Sequence, residues 1–223
     1  MAFGENIGVI VVESVRQFQE LEPFYQDESC TIYNADCRKV LPWLNRFDLL
    51  LTDPPYGIGE DGGAQRTRGS KRKNGPKMGW DSKRPSRAVF ELMIEAADTH
   101  IIWGGNYFAD MLPATRGWLY WEKLMGGDFS DGELAWTSRD AVLKQFTKAK
   151  QTNERIHPTQ KPLAVIQWCL SLVPDVQTVL DPFMGSGTTL LAAKVHGVKS
   201  VGIEINKEYC EAAVNRLKQK MLY

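Results

Sequence analysis

Thr178-Val179-Leu180-Asp181-Pro182-Phe183-Met184-Gly185-Ser186-Gly187-Thr188-Thr189 is the stretch on which the fold turns. A short apolar run ends in an acid, and two glycines one residue apart follow it. Thr188 to His196 then has helical spacing and stops at Gly197, the residue type that best closes a helix C-terminus. Ser200-Val201-Gly202-Ile203 is a second strand, ending at Glu204. Strand, glycine turn, helix and strand make one βαβ unit, which requires a parallel sheet. Working outward, Glu208 to Lys220 reads as a closing helix and Leu163 to Val173 as an amphipathic one. Phe47-Asp48-Leu49-Leu50-Leu51-Thr52 is a continuous apolar run of the kind buried on both faces. Cys30 to Asp36 reads as a strand, and Cys37 to Asn45 as a short helix or turn. A helix from Ser86 to Ala97 leads into His100-Ile101-Ile102-Trp103, stopped by Gly104-Gly105. Trp118 to Trp121 and Leu134 to Thr137 are further strands. The expected fold is α/β, a Rossmann-like, doubly wound, mostly parallel sheet covered on both faces.

The length of 223 residues suits a single domain, and 43% hydrophobic with 24% charged residues is an ordinary globular composition. Charge cancels overall, 27 basic against 27 acidic residues, so no global field drives the chain onto nucleic acid or membrane. The balance hides an asymmetry. Between Glu60 and Arg87 nine basic side chains (Arg66, Arg68, Lys71, Arg72, Lys73, Lys77, Lys83, Arg84, Arg87) face three acids, a local charge of +6. Glycines and basic residues with almost no aliphatics over 57–79 read as a loop. The four cysteines form no CxxC pair, which argues against a disulfide framework or a zinc cluster and for reduced thiols. The opening MAFGENIG lacks the pattern of a signal peptide, and no apolar run approaches the ~18 residues of a membrane span. A cytoplasmic protein without membrane or metal is expected.

Three constellations carry chemistry. Glycines between a strand and a helix let the backbone approach a ligand, and Glu204, 17 residues beyond Gly187, suits a ribose diol. Position 190 is Leu, so no dinucleotide fingerprint is complete, and no P-loop lysine follows. A nucleoside ligand without a pyrophosphate fits better. In Asp53-Pro54-Pro55-Tyr56 a carboxylate at the carboxyl edge of the sheet, a rigid Pro54 carbonyl and an aromatic ring could grip a planar group bearing an amine. His157-Pro158-Thr159-Gln160-Lys161-Pro162 precedes an amphipathic helix. Taken singly, the glycine turn reads equally as an ordinary tight turn, and the other two read first as a proline turn and a helix entry.

In this order the three resemble one family, the exocyclic-amino DNA methyltransferases that use S-adenosylmethionine. With Asp-Pro-Pro-Tyr first and the glycine loop near the C-terminus, the arrangement is that of their permuted β group. The resemblance spans about 30–60 and 100–223. It implies the class I methyltransferase fold in a single catalytic domain over 1–223, with a basic DNA-binding loop at 57–85 and a small target-recognition region at 126–155. It implies that Asp181, Phe183, Gly185, Ser186, Gly187 and Thr188 line the methionine and ribose side of the cofactor, and that Glu204 holds the ribose hydroxyls. Asp36 would meet the adenine amine. Thr159 and Lys161 would hold the methionine end, Lys161 offsetting its carboxylate. Asp53 stands beside both cofactor and substrate.

An exocyclic base nitrogen is a poor nucleophile because its lone pair is delocalised into the ring. Asp53 and the Pro54 carbonyl, accepting its N–H bonds, would draw it toward tetrahedral geometry, and the carboxylate favours positive charge developing there. Pro55 fixes the turn, and Tyr56 would stack on a base flipped out of the duplex. Arg66, Arg68, Lys71, Arg72, Lys73 and Lys77 would bind DNA phosphates at the mouth of the site. Asp-Pro-Pro-Tyr in this family usually accompanies adenine N6 methylation, whereas N4-cytosine enzymes more often begin the tetrapeptide with Ser. N4-cytosine or RNA methylation, and a catalytically silent DNA-binding module, are the alternatives. Members often dimerise, which extends here as a possible homodimer. Restriction–modification, phage and housekeeping roles all fit.

Overall fold

The computed structural model describes residues 22–59, 81–124, 130–149 and 160–219. In chain order the strands are β1 (Tyr25–Gln26), β2 (Cys30–Asn34), β3 (Phe47–Thr52), β4 (Ala97–Trp103), β5 (Trp118–Glu122), β6 (Gly132–Thr137), β7 (Lys144–Thr147), β8 (Thr178–Asp181) and β9 (Lys199–Glu204). The helices are α1 (Cys37–Val40), α2 (Arg87–Glu95), α3 (Leu163–Ser171), α4 (Thr188–Val195) and α5 (Lys207–Lys218). The strands form one sheet in the order β1-β2-β9-β8-β3-β4-β6-β5-β7. From β2 to β4 every neighbouring pair is parallel. β6 runs antiparallel between β4 and β5, and β7 is parallel to β5. The fold is thus the expected α/β, mostly parallel sheet.

Alternation along the central strands covers both faces. Leu49, Leu51, Ile101, Trp103 and Val179 pack with α3 residues Val165, Ile166 and Cys169. Leu50, Ile102 and Leu180 turn the other way, onto Val89, Phe90 and Met93 of α2. β2 and α5 share a third cluster around Ile32, Cys210, Ala213 and Leu217. Local chemistry sets the helix starts. Asn206 caps α5 by accepting the Glu208 N–H at 2.8 Å, and Arg216 and Lys218 sit in its last turn, where cations suit the dipole. Asp36 caps α1 in the same way through the Arg38 N–H. All four cysteines are buried free thiols.

Several boundaries differ from the sequence reading. α2 ends at Glu95 rather than Ala97, because the Ala96 carbonyl accepts the Phe47 N–H at 2.9 Å and parallel pairing with β3 recruits Ala97. β1 and β7 carry no strand signal in sequence. Both are short edge pieces, and β7 is largely exposed, so backbone pairing rather than apolar patterning defines them. Among the described residues no helix is long and apolar enough to cross a membrane.

Candidate active site

The carboxyl edge of the parallel strands gathers the site. β3 and β8 are adjacent, with Leu49 opposite Val179 and Leu50 opposite Leu180. Asp53 and the loop after Asp181, far apart in sequence, therefore leave the sheet side by side. The glycine loop is tightly determined. Gly185 and Gly187 have φ of +51° and +76°, where a side chain would be strained, and α4 starts directly from Gly187. Arg216 of α5 donates from Nη1 to the Ser186 carbonyl at 2.6 Å and contacts the Ser186 and Thr188 hydroxyls at 3.2 and 3.1 Å. Glu204 accepts the Gly185 N–H at 3.0 Å on one oxygen and the Asn206 N–H at 2.8 Å on the other. Burial pushes the Glu204 carboxyl upward, against the pull of those backbone N–H groups.

Around this loop lies a cavity of about 550 Å³. Eight of the residues read as cofactor-binding from sequence line it: Asp53, Lys161, Asp181, Phe183, Gly185, Ser186, Thr188 and Glu204. Gly187 stands just behind, as the N-cap of α4. Asp36 does not line the cavity; its carboxylate caps α1 and pairs with Arg38. Thr159 lies outside the described residues. Ile205, at the rim and 71% exposed, and Tyr209 line the cavity without having been singled out in sequence. An apolar residue directly after the ribose-type acid was the signal available. Asp181 is buried, accepts from the Thr52 hydroxyl at 2.7 Å and the Phe183 N–H at 3.1 Å, and burial pushes its carboxyl up to about 6.

A second cavity, of about 390 Å³, opens on the other side of the tetrapeptide and is lined by Tyr56, Asn106, Tyr107, Lys123, Ser130 and Glu133 among others. The two cavities share a wall. Asp53 faces the first, yet accepts a 2.6 Å hydrogen bond from the hydroxyl of Tyr56, which faces the second. The ring of Tyr107 stacks on Tyr56 at 4.7 Å between centroids.

Lys161 completes the wall, and its place goes beyond what the sequence suggested. Its ammonium ion-pairs with Asp53 and, at 3.0 Å, with Glu133, over the ring of Trp103 at 5.0 Å. Glu133 in turn pairs with Lys123 at 2.6 Å. Burial raises the Asp53 carboxyl, against the opposing pull of Lys161. For Lys161, burial would lower the ammonium, but Asp53 and Glu133 outweigh it and hold the group above its ordinary range. Burial likewise works against Glu133, yet Lys161 and Lys123 pull it down to about 2. Asp53 keeps 29% of its side-chain surface open to the cavity, whereas Lys161 keeps 5%. Glu133 sits in a polar stretch that read only as a recognition region, and Lys123 lies just ahead of it, after the Trp118–Trp121 strand, so nothing local marked either.

The described residues flanking the basic segment meet beside this wall. Asp81 is buried and accepts the Gly57 N–H at 2.7 Å, which draws the two ends of the segment together directly after Tyr56. Arg66, Arg68, Lys71, Arg72, Lys73 and Lys77 lie outside the described residues, as do 126–129 and 150–155 of the recognition region. Among the described residues no group of three His, Cys, Asp or Glu could hold a metal ion.

Comparison with known proteins gives a consistent picture. A family model described as DNA methylase matches residues 133–215. The chain is 45% identical over 71 residues to the type II methyltransferase M.ScaI of Streptomyces caespitosus, a match covering 31% of this chain and 23% of that protein. It is 24% identical to the type II methyltransferase M2.LlaDCHI of Lactococcus lactis subsp. cremoris, across 91% of this chain and 94% of the relative. Among solved structures it is similar to an M1.HpyAVI–SAM complex, with a TM-score of 0.58 and 24% identity over 85% of this chain and 100% of that one.

Proposed function

We propose that this chain, similar to S-adenosylmethionine-dependent DNA amino-methyltransferases, carries out one specific reaction: methyl transfer from S-adenosylmethionine to the exocyclic N6 of an adenine flipped out of DNA. The observation that carries this is the shared wall, with the Asp53 carboxylate between a nucleoside-sized cavity and a second cavity floored by aromatic rings.

The first cavity fits the cofactor. Its volume of about 550 Å³ lies in the usual range for small-molecule sites, near 300–1,000 Å³. Glu204 spends one lone pair of each oxygen on backbone N–H groups, which leaves acceptor capacity for a ribose diol. Phe183, Met184 and Ile205 offer apolar surface to a purine, and the carboxylates of Asp53 and Asp181 suit a cationic sulfonium. When bound, the cofactor supplies an electrophilic methyl group on sulfur. The chain's own residues then do the rest. Asp53 and the Pro54 carbonyl accept the amine N–H bonds, localise the nitrogen lone pair and aim it through the wall. The cofactor would give up its methyl group to the nitrogen and leave as the neutral thioether, and Asp53 would guide the released N–H proton toward solvent. The carboxylate stabilises the positive charge that gathers on nitrogen.

Tyr56 supplies the stacking surface, with Tyr107 yielding its place on the ring to the entering base. The basic segment 57–85 binds phosphates, and 126–155 serves as a short target-recognition region within one catalytic domain. The test is nucleoside mass spectrometry after incubating duplex DNA, single-stranded DNA and RNA with S-adenosylmethionine and the protein, beside Asp53→Ala. N6-methyladenine in DNA that vanishes with Asp53→Ala is the expected result. N4-methylcytosine would overturn the base assignment, and product confined to RNA would overturn the substrate class.

A further inference from the structure

The four charges in the wall alternate along one line: Asp53, Lys161, Glu133, Lys123. They come from four separate segments: the ends of β3 and β5, the start of β6 and the approach to α3. Lysines and glutamates are seldom buried, and a buried charge is retained only when paired. Here Lys161 and Glu133 have 5% and 21% of their side chains exposed. The methyl-transfer reading gives Asp53 and Tyr56 work to do, but it leaves this row unexplained. Lys161 alone would be a liability. A cation seated on Asp53 competes with the target amine for the carboxylate and repels the positive charge that nitrogen acquires.

Resting on the proposed methyl transfer, we propose that Glu133 is a positioning residue for that reaction: by sharing Lys161 with Asp53, and itself anchored by Lys123, it keeps the Asp53 carboxylate a competent acceptor. Glu133 acts through Lys161 and touches neither substrate nor cofactor. Lys161 has two carboxylates within reach and a neutral cage of Trp103 and Tyr56 rings at 5.0 and 6.0 Å, so it moves between partners without leaving the wall. As the amine docks on Asp53, Lys161 shifts its weight to Glu133. Lys123 holds Glu133 at 2.6 Å, which keeps the second carboxylate from following the lysine outward.

The row makes a prediction with a sign. The titratable and charged groups facing Asp53 are Tyr56, Lys161, Glu133 beyond it, and Asp181 from β8. Glu133→Gln removes a negative charge and leaves Lys161 wholly on Asp53. The Asp53 midpoint then moves down, by about one pH unit for a charge one neighbour removed. Lys123→Gln removes a positive charge, frees Glu133 to draw Lys161 away, and moves the midpoint up. Simple loss of charge gives the same two signs, so the positioning role is read from the fall in kcat that accompanies the Glu133→Gln shift and from its recovery with Glu133→Asp.

The experiment is a pH titration of the carboxyl-13C resonance of Asp53 in the full chain without cofactor or DNA, for wild type, Glu133→Gln, Glu133→Asp and Lys123→Gln. Steady-state methylation is followed in parallel. A fall with Glu133→Gln, a rise with Lys123→Gln and a near-wild-type midpoint with Glu133→Asp are expected. In turnover, kcat for Glu133→Gln falls about tenfold, matching one unit of charge preference, and Glu133→Asp recovers most of it. Unmoved midpoints, or shifts of the same sign in both variants, overturn the inference. If Glu133→Gln does not fold, the upward shift with Lys123→Gln decides by itself. Wild-type protein that makes no methylated product while the midpoints shift as stated overturns the methyl-transfer reading and leaves the charge coupling standing.

Discussion

Gly104→Ala tests whether the backbone under Tyr56 matters to the reaction. Gly104 follows β4 with φ of +69°, and a Cβ built there would lie 2.6 Å from Cζ and 2.7 Å from Cδ1 of the Tyr56 ring. Ordinary contact begins near 3.4 Å, so the ring must retreat by roughly 1 Å, while Tyr107, stacked at 4.7 Å, limits where it can go. The left-handed backbone costs an alanine about 1–2 kcal/mol and overpacking about 1–3 kcal/mol, so the expected loss of stability is about 2–5 kcal/mol. In a chain of this size that lowers the melting temperature by roughly 5–20 °C. The functional effect comes from geometry. The Tyr56 hydroxyl holds Asp53 at 2.6 Å, and a displacement of this size in a catalytic constellation costs up to ~10²-fold in kcat. Cofactor affinity should hold, because neither Gly104 nor Tyr56 lines the larger cavity. Methylation rates and calorimetric cofactor titration, both run well below the variant's melting temperature, separate the two. Wild-type kcat in folded Gly104→Ala would refute the chain of reasoning from Gly104 through Tyr56 to Asp53.

Asp53→Asn should lower kcat by ~10²–10³-fold, the usual scale for removing one preorganised electrostatic partner, while leaving cofactor binding measurable; retained turnover would remove Asp53 from the chemistry. Arg216→Met takes three contacts from the glycine loop at Ser186 and Thr188. Hydrogen bonds to a charged group contribute about 1.5–3 kcal/mol, so cofactor affinity should weaken at least ~10-fold by calorimetry, and an unchanged Kd would show that the loop holds itself. Asp181 gives a pH test. Its folded value of about 6 lies above the ordinary 3.8 of a free Asp carboxyl, so its favourable contribution is complete below pH 3.8 and is lost as pH rises toward 6. At about 1.4 kcal/mol per unit the loss between pH 4 and pH 7 is about 3 kcal/mol. Asp181→Asn should therefore gain on wild type as pH rises through that window, and denaturant unfolding at the two pH values that gave equal offsets would contradict the assignment.

The sequence made the parallel core legible because its signals are local. Val179 and Leu180, Leu49 to Leu51, and Ile101 and Ile102 form apolar runs that only strands buried on both faces require, and glycines marked where the backbone turns. The glycine loop, Asp53 and Glu204 were readable for the same reason, each standing at the end of such a run. Lys161 was visible, but its partners were not. Its preference for Asp53 and Glu133 depends on which strands lie side by side, and 28 residues separate it from Glu133 in the chain. Glu133 sits in a stretch without clear periodicity and Lys123 just past the end of a strand, so no pattern set them apart from solvent-facing charges. β7 was illegible for a related reason: an exposed edge strand needs backbone pairing with β5 and no apolar alternation.

The antiparallel strand explains why charges converge at this edge. In a wholly parallel sheet only strand ends reach the carboxyl side, and each is followed by a loop that must start a crossover. β6 runs the other way, pairing Trp103 with Ala135 and Ile101 with Thr137, so its beginning arrives where β3, β4 and β8 finish. Glu133, its second residue, is thereby fixed by sheet register rather than carried on a loop. The pairing of Glu122 with Gly132 sets Lys123 beside Asp131, whose carbonyl accepts its N–H at 2.8 Å, so the lysine that anchors Glu133 is placed by the same ladder. Shifting β6 by one residue would turn Glu133 to the opposite face and part it from both lysines. The proposed positioning role therefore depends on strand register as much as on residue identity. An insertion of one residue between Glu122 and Gly132 that preserved the register should leave the Asp53 midpoint in place, whereas one that slipped β6 should move it as far as Glu133→Gln does.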